Sequence, residues 1–227
     1  MTRLNRERVL RAAVSLADEG GIDSLSMRRL AQELGVVPMA LYKHVANKEQ
    51  LLDGMVDTVV GEIELPDDRS DWREAVRGRV LSARRVLLRH RWAYRVIESR
   101  NAPTPAVLGY LDSMIGVLRD GGLSADLAHH AMHALGSRVL GFSQELFDAS
   151  GGGAGDGAGD GSNGGAPPDP ALAERFPHIA ELAGAAAHDG GSVVGGGCDD
   201  QFEFEFALDL LLDGFERLRA AGWTSAR

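Results

Sequence analysis

Cysteine occurs once in the 227 residues, at Cys198, so an intrachain disulfide is excluded. A lone thiol fits a reducing compartment, and in a glycine-rich segment it reads as a bystander. No apolar segment follows Met1, and no apolar run approaches the roughly twenty residues that span a bilayer, so the expectation is a soluble cytoplasmic protein. The glycine-rich stretch 151–165 has no GxxxxGK[ST] pattern and no strand before it. It therefore reads as a flexible loop rather than a phosphate cradle. No nucleophile, base and orienting acid stand out together, which argues against an enzyme, and no cofactor is implied. A net charge of -9 argues against a protein that coats nucleic acid indiscriminately.

Hydrophobic residues make up 44% of the chain, enough for one small head and one larger domain. Residues 26–44, SMRRLAQELGVVPMALYKH, organise the reading. Ser26 can cap a short helix and Gly35 can stop it, with glycine supplying the positive φ of the turn. Leu30, Leu34, Val36, Leu41 and Val45 share an inward face, and Ala31 is small where a second helix must cross. That second helix starts at Pro38 and leaves Met39, Ala40, Tyr42, Lys43 and His44 outside the core. The spacing is that of a helix-turn-helix, whose second helix enters the DNA major groove. Residues 1–48 hold eight Lys or Arg against five Asp or Glu, so the head is basic on an acidic body.

The flanks extend the pattern. Asn5 can cap a helix over residues 6–19 that Gly20 and Gly21 end, and Asn47 with Gln50 three residues later opens a long amphipathic helix. The run GIDSLSMRRLAQELGVVPMALYKHVANKEQLLDGM resembles the DNA-binding head of the tetracycline repressor (TetR) family, LYKHVANKEQLL being its most specific part. Arg28 has the fork to read guanine or clamp a phosphate, Tyr42, Lys43 and His44 have the reach for phosphates, and Lys48 opens helix four beside free backbone amides. The resemblance implies the same DNA contacts, carried onto Arg28, Pro38, Met39, Ala40, Tyr42, Lys43, His44 and Lys48. Met39 and Ala40 offer only apolar contact, so the operator sequence is not inherited from a relative.

Beyond the head, Leu52, Met55, Val56, Val59, Val60 and Ile63 form a stripe that would pin helix four to the larger domain. Helices are expected over residues 72–91, 92–97 and 106–118, and from Ser124 onward with Leu127, Ala131, Leu135, Val139, Phe142 and Leu146 on a face apolar enough to bury two sides. Residues 72–100 hold nine arginines and two acids, a bias suited to DNA phosphates, to an anionic small molecule, or to a solvated face balanced by the acidic C-terminal half. His129, His130 and His133 have helical metal-ligand spacing but no cysteine nearby, and no metal is assigned. Pro167 to Ala186 has room for a short helix. Phe202, Phe204 and Phe206 alternate locally like a strand, yet Phe204, Leu208, Leu211, Phe215 and Leu218 continue at helical spacing, so one long helix is expected. Its excess apolar surface, beside the Ser124 helix, suggests a four-helix dimer interface.

The larger domain is similar, more weakly, to that of the tetracycline-repressor subgroup. The resemblance implies an effector pocket with Arg79, Ala83, Glu98 and Met114 as candidate residues. The subgroup's magnesium-ligating histidine is replaced here by Ile97 or Glu98, depending on a one-residue shift, and its drug-binding asparagine by Arg79. Tetracycline–magnesium is therefore not the expected ligand. Arg79 points to an anionic effector or is a surface arginine. The expectation is an all-α protein: residues 1–48 a DNA-binding head, 49–65 a connecting helix, and 66–227 a ligand-binding and dimerisation domain. It would act as a homodimeric repressor of a palindromic operator released by a small molecule. The alternatives are an activator, a regulator without effector, or an all-helical enzyme.

Overall fold

Asn5 leaves an extended backbone, and its side chain accepts a hydrogen bond from the Arg8 amide at 2.8 Å, which starts α1 (Arg6–Gly20). Val9, Ala13, Leu16 and Ala17 form its buried stripe. A 3-10 turn (Ile22–Ser24) leads to α2 (Met27–Glu33), whose cap is Ser26, accepting from the Arg29 amide at 3.2 Å. α3 (Pro38–Leu41) is shorter than expected, since helical hydrogen bonding gives way to turns over residues 42–44. The Val45 amide still reaches the Leu41 carbonyl at 3.0 Å, and the Asn47 cap restarts the chain so soon afterwards that no second helical turn fits. In α4 (Lys48–Val60) Asn47 accepts from the Gln50 amide at 2.8 Å. Gln50 reaches back to the Ala46 amide at 2.7 Å, one residue before the position of an ordinary capping box.

This computed structural model describes residues 4–65, 71–140, 174–178, 181 and 200–226, and among them every regular element is a helix. α5 (Trp72–Arg89) is capped by Asp71, which accepts from the Arg73 amide at 2.7 Å, and α6 (Ala93–Ser99) follows. The break falls at His90, two residues earlier than the arginine-rich sequence suggested. Pro105 opens α7 (Pro105–Asp120) and Ser124 caps α8 (Ala125–Leu140) at 3.0 Å. The last helix, α9 (Asp200–Ala220), confirms helix over strand for the alternating phenylalanines. Phe204, Leu208, Leu212 and Phe215 are its buried residues, so the stripe passes through Leu212 rather than Leu211. Phe142, Leu146, Cys198 and the glycine-rich stretch 151–165 lie outside the described residues.

Residues 1–140 together with 211–227 form one compact unit, and residues 141–210 another. Within the first, α1 packs on α4, α2 on α3, and α4 in turn on α5, α6 and α7. One apolar cluster runs from Val9, Leu30 and Leu41 through Leu51, Met55 and Val59 to Val86, Trp92 and Val96. Each such fully buried side chain contributes about 1.5–3 kcal/mol relative to exposure, so the head is bound to the body through a shared core. The described part of α8 buries one side only: Leu127, Ala128, Ala131 and Leu135 face inward, while His129, His130, His133 and Ser137 are exposed.

Candidate functional site

Gly35 sits at φ 66°, and beyond it the Val36 amide caps the Ala31 carbonyl at 2.9 Å, turning the chain from α2 into α3. Leu41 and Val45 are fully buried beneath the turn. Around them the chain leaves large side chains in solvent: Met39 is 71% exposed, Val37 68% and Tyr42 45%. Pro38, Lys43 and Lys48 are exposed as well, Arg28 is exposed on α2, and Ala40 and His44 are half-buried. Val37 is the member that sequence reasoning missed, because nothing in the run GVVP distinguishes it from the inward Val36.

Charge in the head is available for phosphates. Among the described residues Arg28, Lys43 and Lys48 form no ion pair with a carboxylate. The arginines of residues 72–100 behave differently. Arg85 pairs with Glu64 at 2.8 Å, Arg89 with Glu62 at 2.8 Å, Arg100 with Glu49 at 2.6 Å, and Arg73 with Asp213. Four of the nine arginines of that stretch are thus paired with acids of the protein itself.

A cavity of about 130 Å³ lies below the second half of α4. Val59, Val60 and Ile63 form one side, Ala83 and Val86 of α5 and Ile97 of α6 others, and Tyr110, Met114, Leu135 and Val139 the remainder. Dry apolar cavities of about this size hold a small aromatic ring. Of the four candidate ligand residues, Ala83 and Met114 line this space. Glu98 does not: it points to solvent, and Ile97 holds the place beside the cavity. Arg79 is buried beside Tyr110, a lining residue one turn before Met114 on α7 that sequence reasoning did not single out. Burial raises the Tyr110 phenol above its ordinary value, with the neighbouring Arg79 charge partly opposing it.

Head and body are also joined by a polar network. His90, at the end of α5, is buried with Nδ1 2.9 Å from Asp18 of α1 and Nε2 3.2 Å from Glu62 just past α4. The Trp92 indole donates to the same Asp18 at 2.7 Å. The Ala106 amide donates to Asp57 of α4 at 3.1 Å, and Arg100 reaches Asp53 at 3.2 Å. α4 is therefore tied to the body through both apolar and hydrogen-bonded contacts. Among the described residues no cluster of His, Cys, Asp or Glu is arranged to hold a metal ion.

An all-helical chain whose helix-turn-helix head shares its fourth helix with the wall of a ligand-sized cavity is a DNA-binding transcriptional regulator. The chain belongs to the TetR family: residues 9–55 match the family described as bacterial regulatory proteins, tetR family, and residues 65–219 the tetracyclin repressor-like C-terminal domain. It is 32% identical over 230 residues to the tetracycline repressor protein class G of Vibrio anguillarum, covering 97% of this chain and 98% of that protein. Its fold is similar to that of apo ActR from Streptomyces coelicolor, with a TM-score of 0.72 and 27% identity over 98% of this chain and 100% of that one. ActR in complex with actinorhodin matches with a TM-score of 0.63 and 26% identity, over 95% of this chain and 98% of that one. Members of the family are regulators rather than enzymes.

Proposed function

We propose that this chain is a repressor that holds a palindromic operator as a homodimer and leaves it when a small molecule occupies the cavity below α4. The observation that carries the reading is the double role of α4. Its first half, with Leu51, Leu52 and Met55, belongs to the head core, and its second half, with Val59 and Val60, lines the cavity. A ligand that fits better when α4 has shifted favours the shifted state by its difference in affinity, and couplings of this kind amount to about 1–3 kcal/mol, or roughly 5- to 150-fold in DNA affinity. Relatives bound to small molecules, such as ActR with actinorhodin, support the same reading.

In this proposal residues 1–48 read DNA, 49–65 transmit, and 66–227 bind the effector and dimerise. Arg28, Tyr42, Lys43, His44 and Lys48 hold phosphates or guanine edges, while Pro38, Met39 and Ala40 present an apolar surface to the groove. Ala83 and Met114 contact the effector's body. The partner surface is the outer side of α9, where Phe202, Phe206 and Leu210 are 57%, 53% and 52% exposed at successive intervals of four residues. No catalytic role is assigned, and binding to DNA in a bacterial cell would be a cytoplasmic activity. No helix among the described residues is long and apolar enough to cross a membrane.

Selection of random duplex DNA on the purified protein tests the reading. The expected product is a two-fold symmetric site with half-sites about one helical turn, ~34 Å, apart, and binding that weakens steeply with salt. Enrichment of no sequence would overturn it.

A further inference from the structure

Arg79 lies in the middle of α5, is only 4% exposed, and has no carboxylate partner among the described residues. Its Nη1 donates to the Ser113 hydroxyl at 2.6 Å, its Nη2 approaches the Tyr110 carbonyl at 3.4 Å, and its Nε has no acceptor. The guanidinium carbon sits 4.8 Å over the Tyr110 ring. All of these neighbours are neutral. Arg100, whose side chain is also largely buried, is by contrast paired with Glu49 and Asp53. Burial pushes the Arg79 guanidinium below its ordinary value, yet arginine does not give up its proton in proteins. A full charge is therefore kept in a poorly solvated place, which is destabilising unless an anion completes it.

Its position identifies the anion's source. Arg79 is one turn before Ala83 on α5 and stacks on Tyr110 of α7, both of which line the cavity, so its guanidinium lies one side chain behind the cavity wall. The rest of the lining is hydrocarbon. The surface-arginine reading of Arg79 is thereby excluded. We propose that the effector is an amphipathic organic acid: an apolar, ring-sized body against the α4 side of the cavity, and one carboxylate that reaches Arg79 past Tyr110. This rests on the cavity being the effector site. A charge-assisted bidentate pair in a dry site selects strongly for the anion, because a neutral analogue leaves the guanidinium as unsatisfied as before.

Isothermal titration of the full-length protein with 2-naphthoate and with 2-naphthylmethanol, which share a ring system and differ in charge, tests the assignment. The wild type is expected to prefer naphthoate by about tenfold or more. Arg79→Met should bring the two probes within about twofold, with the alcohol binding at least as well as before. Arg79→Gln, which keeps a donor for Ser113, serves the same purpose if the methionine variant does not fold. Equal binding of both probes by the wild type, or a preference that survives in the folded variants, overturns the inference and leaves the cavity as a neutral effector site. Binding of neither probe overturns the inference and the effector-site reading together.

Discussion

Lys48 opens α4 and Tyr42 projects from the turn after α3, and both stand free of any acid partner among the described residues. If they hold phosphates, Lys48→Ala should weaken binding to the selected operator evenly across sequence variants and lower the slope of log affinity against log salt by about 0.9, measured by fluorescence anisotropy in a salt series. Tyr42→Ala should lower affinity with little change in that slope, since a hydroxyl releases no counterion. Arg28→Ala separates its two assignments: relaxed sequence choice at one position marks a guanine contact, a uniform loss marks a phosphate. Gly35 is under a different constraint. At φ 66° a side chain meets its own backbone, so Gly35→Ala should cost about 1–2 kcal/mol in urea denaturation while leaving the helix content of the folded state unchanged. Helix caps and this turn were legible in the sequence because they depend on residues three or four apart. Val37 and Tyr110 were not, since exposure and cavity lining depend on what lies across from them.

Among the elements, α4 depends on a close approach. A methyl group added at Gly54 would lie 2.7 Å from the Leu10 side chain, so Gly54→Ala should force α1 and α4 apart at a cost of about 1–3 kcal/mol, read as a lower denaturation midpoint. Asp18 serves two buried donors, His90 and Trp92, and Asp18→Ala leaves the Trp92 N–H without its acceptor, a loss of about 1–3 kcal/mol. The same change removes a link between α1 and the end of α5, so effector should release DNA less completely from this variant at saturation. At the other end of the body, Asp126 accepts from both the amide and the hydroxyl of Ser225, and these bonds hold its carboxyl below the ordinary carboxylate range. A depressed carboxylate stabilises the fold above its unfolded value and ceases to as the pH falls through its folded value. The contact between the C-terminal residues and α8 should therefore persist at neutral pH and release only in acid, below the usual carboxylate range, followed by the Ser225 amide proton shift. The polar ties of Asp18, His90 and Glu62 were invisible in the sequence because they join residues more than twenty-five positions apart.

For the whole molecule, DNA affinity depends on two heads arriving together. The outer row of α9, Phe202, Phe206 and Leu210, gives two copies an apolar surface to share. Phe206→Glu with Leu210→Glu should yield monomers in sedimentation velocity and lower operator affinity far more than any single head contact does, because each half-site then binds alone. The net charge of -9 makes this dependence sharper, since only the locally basic head offsets repulsion between an acidic body and DNA.

The residues of this chain by themselves determined an all-helical fold, the helix-turn-helix with its caps and glycine turn, the excess of basic residues in the head, and a C-terminal helix greasier than one core requires. These are properties of spacing, and spacing is local. Tertiary structure alone decided that Ile97 and not Glu98 flanks the cavity, that Arg73, Arg85, Arg89 and Arg100 are paired with internal acids, and that Arg79 is a buried charge rather than a surface one. Which charges are neutralised and which remain open to a ligand depends on distances between helices far apart in sequence, and periodicity carries no information about those.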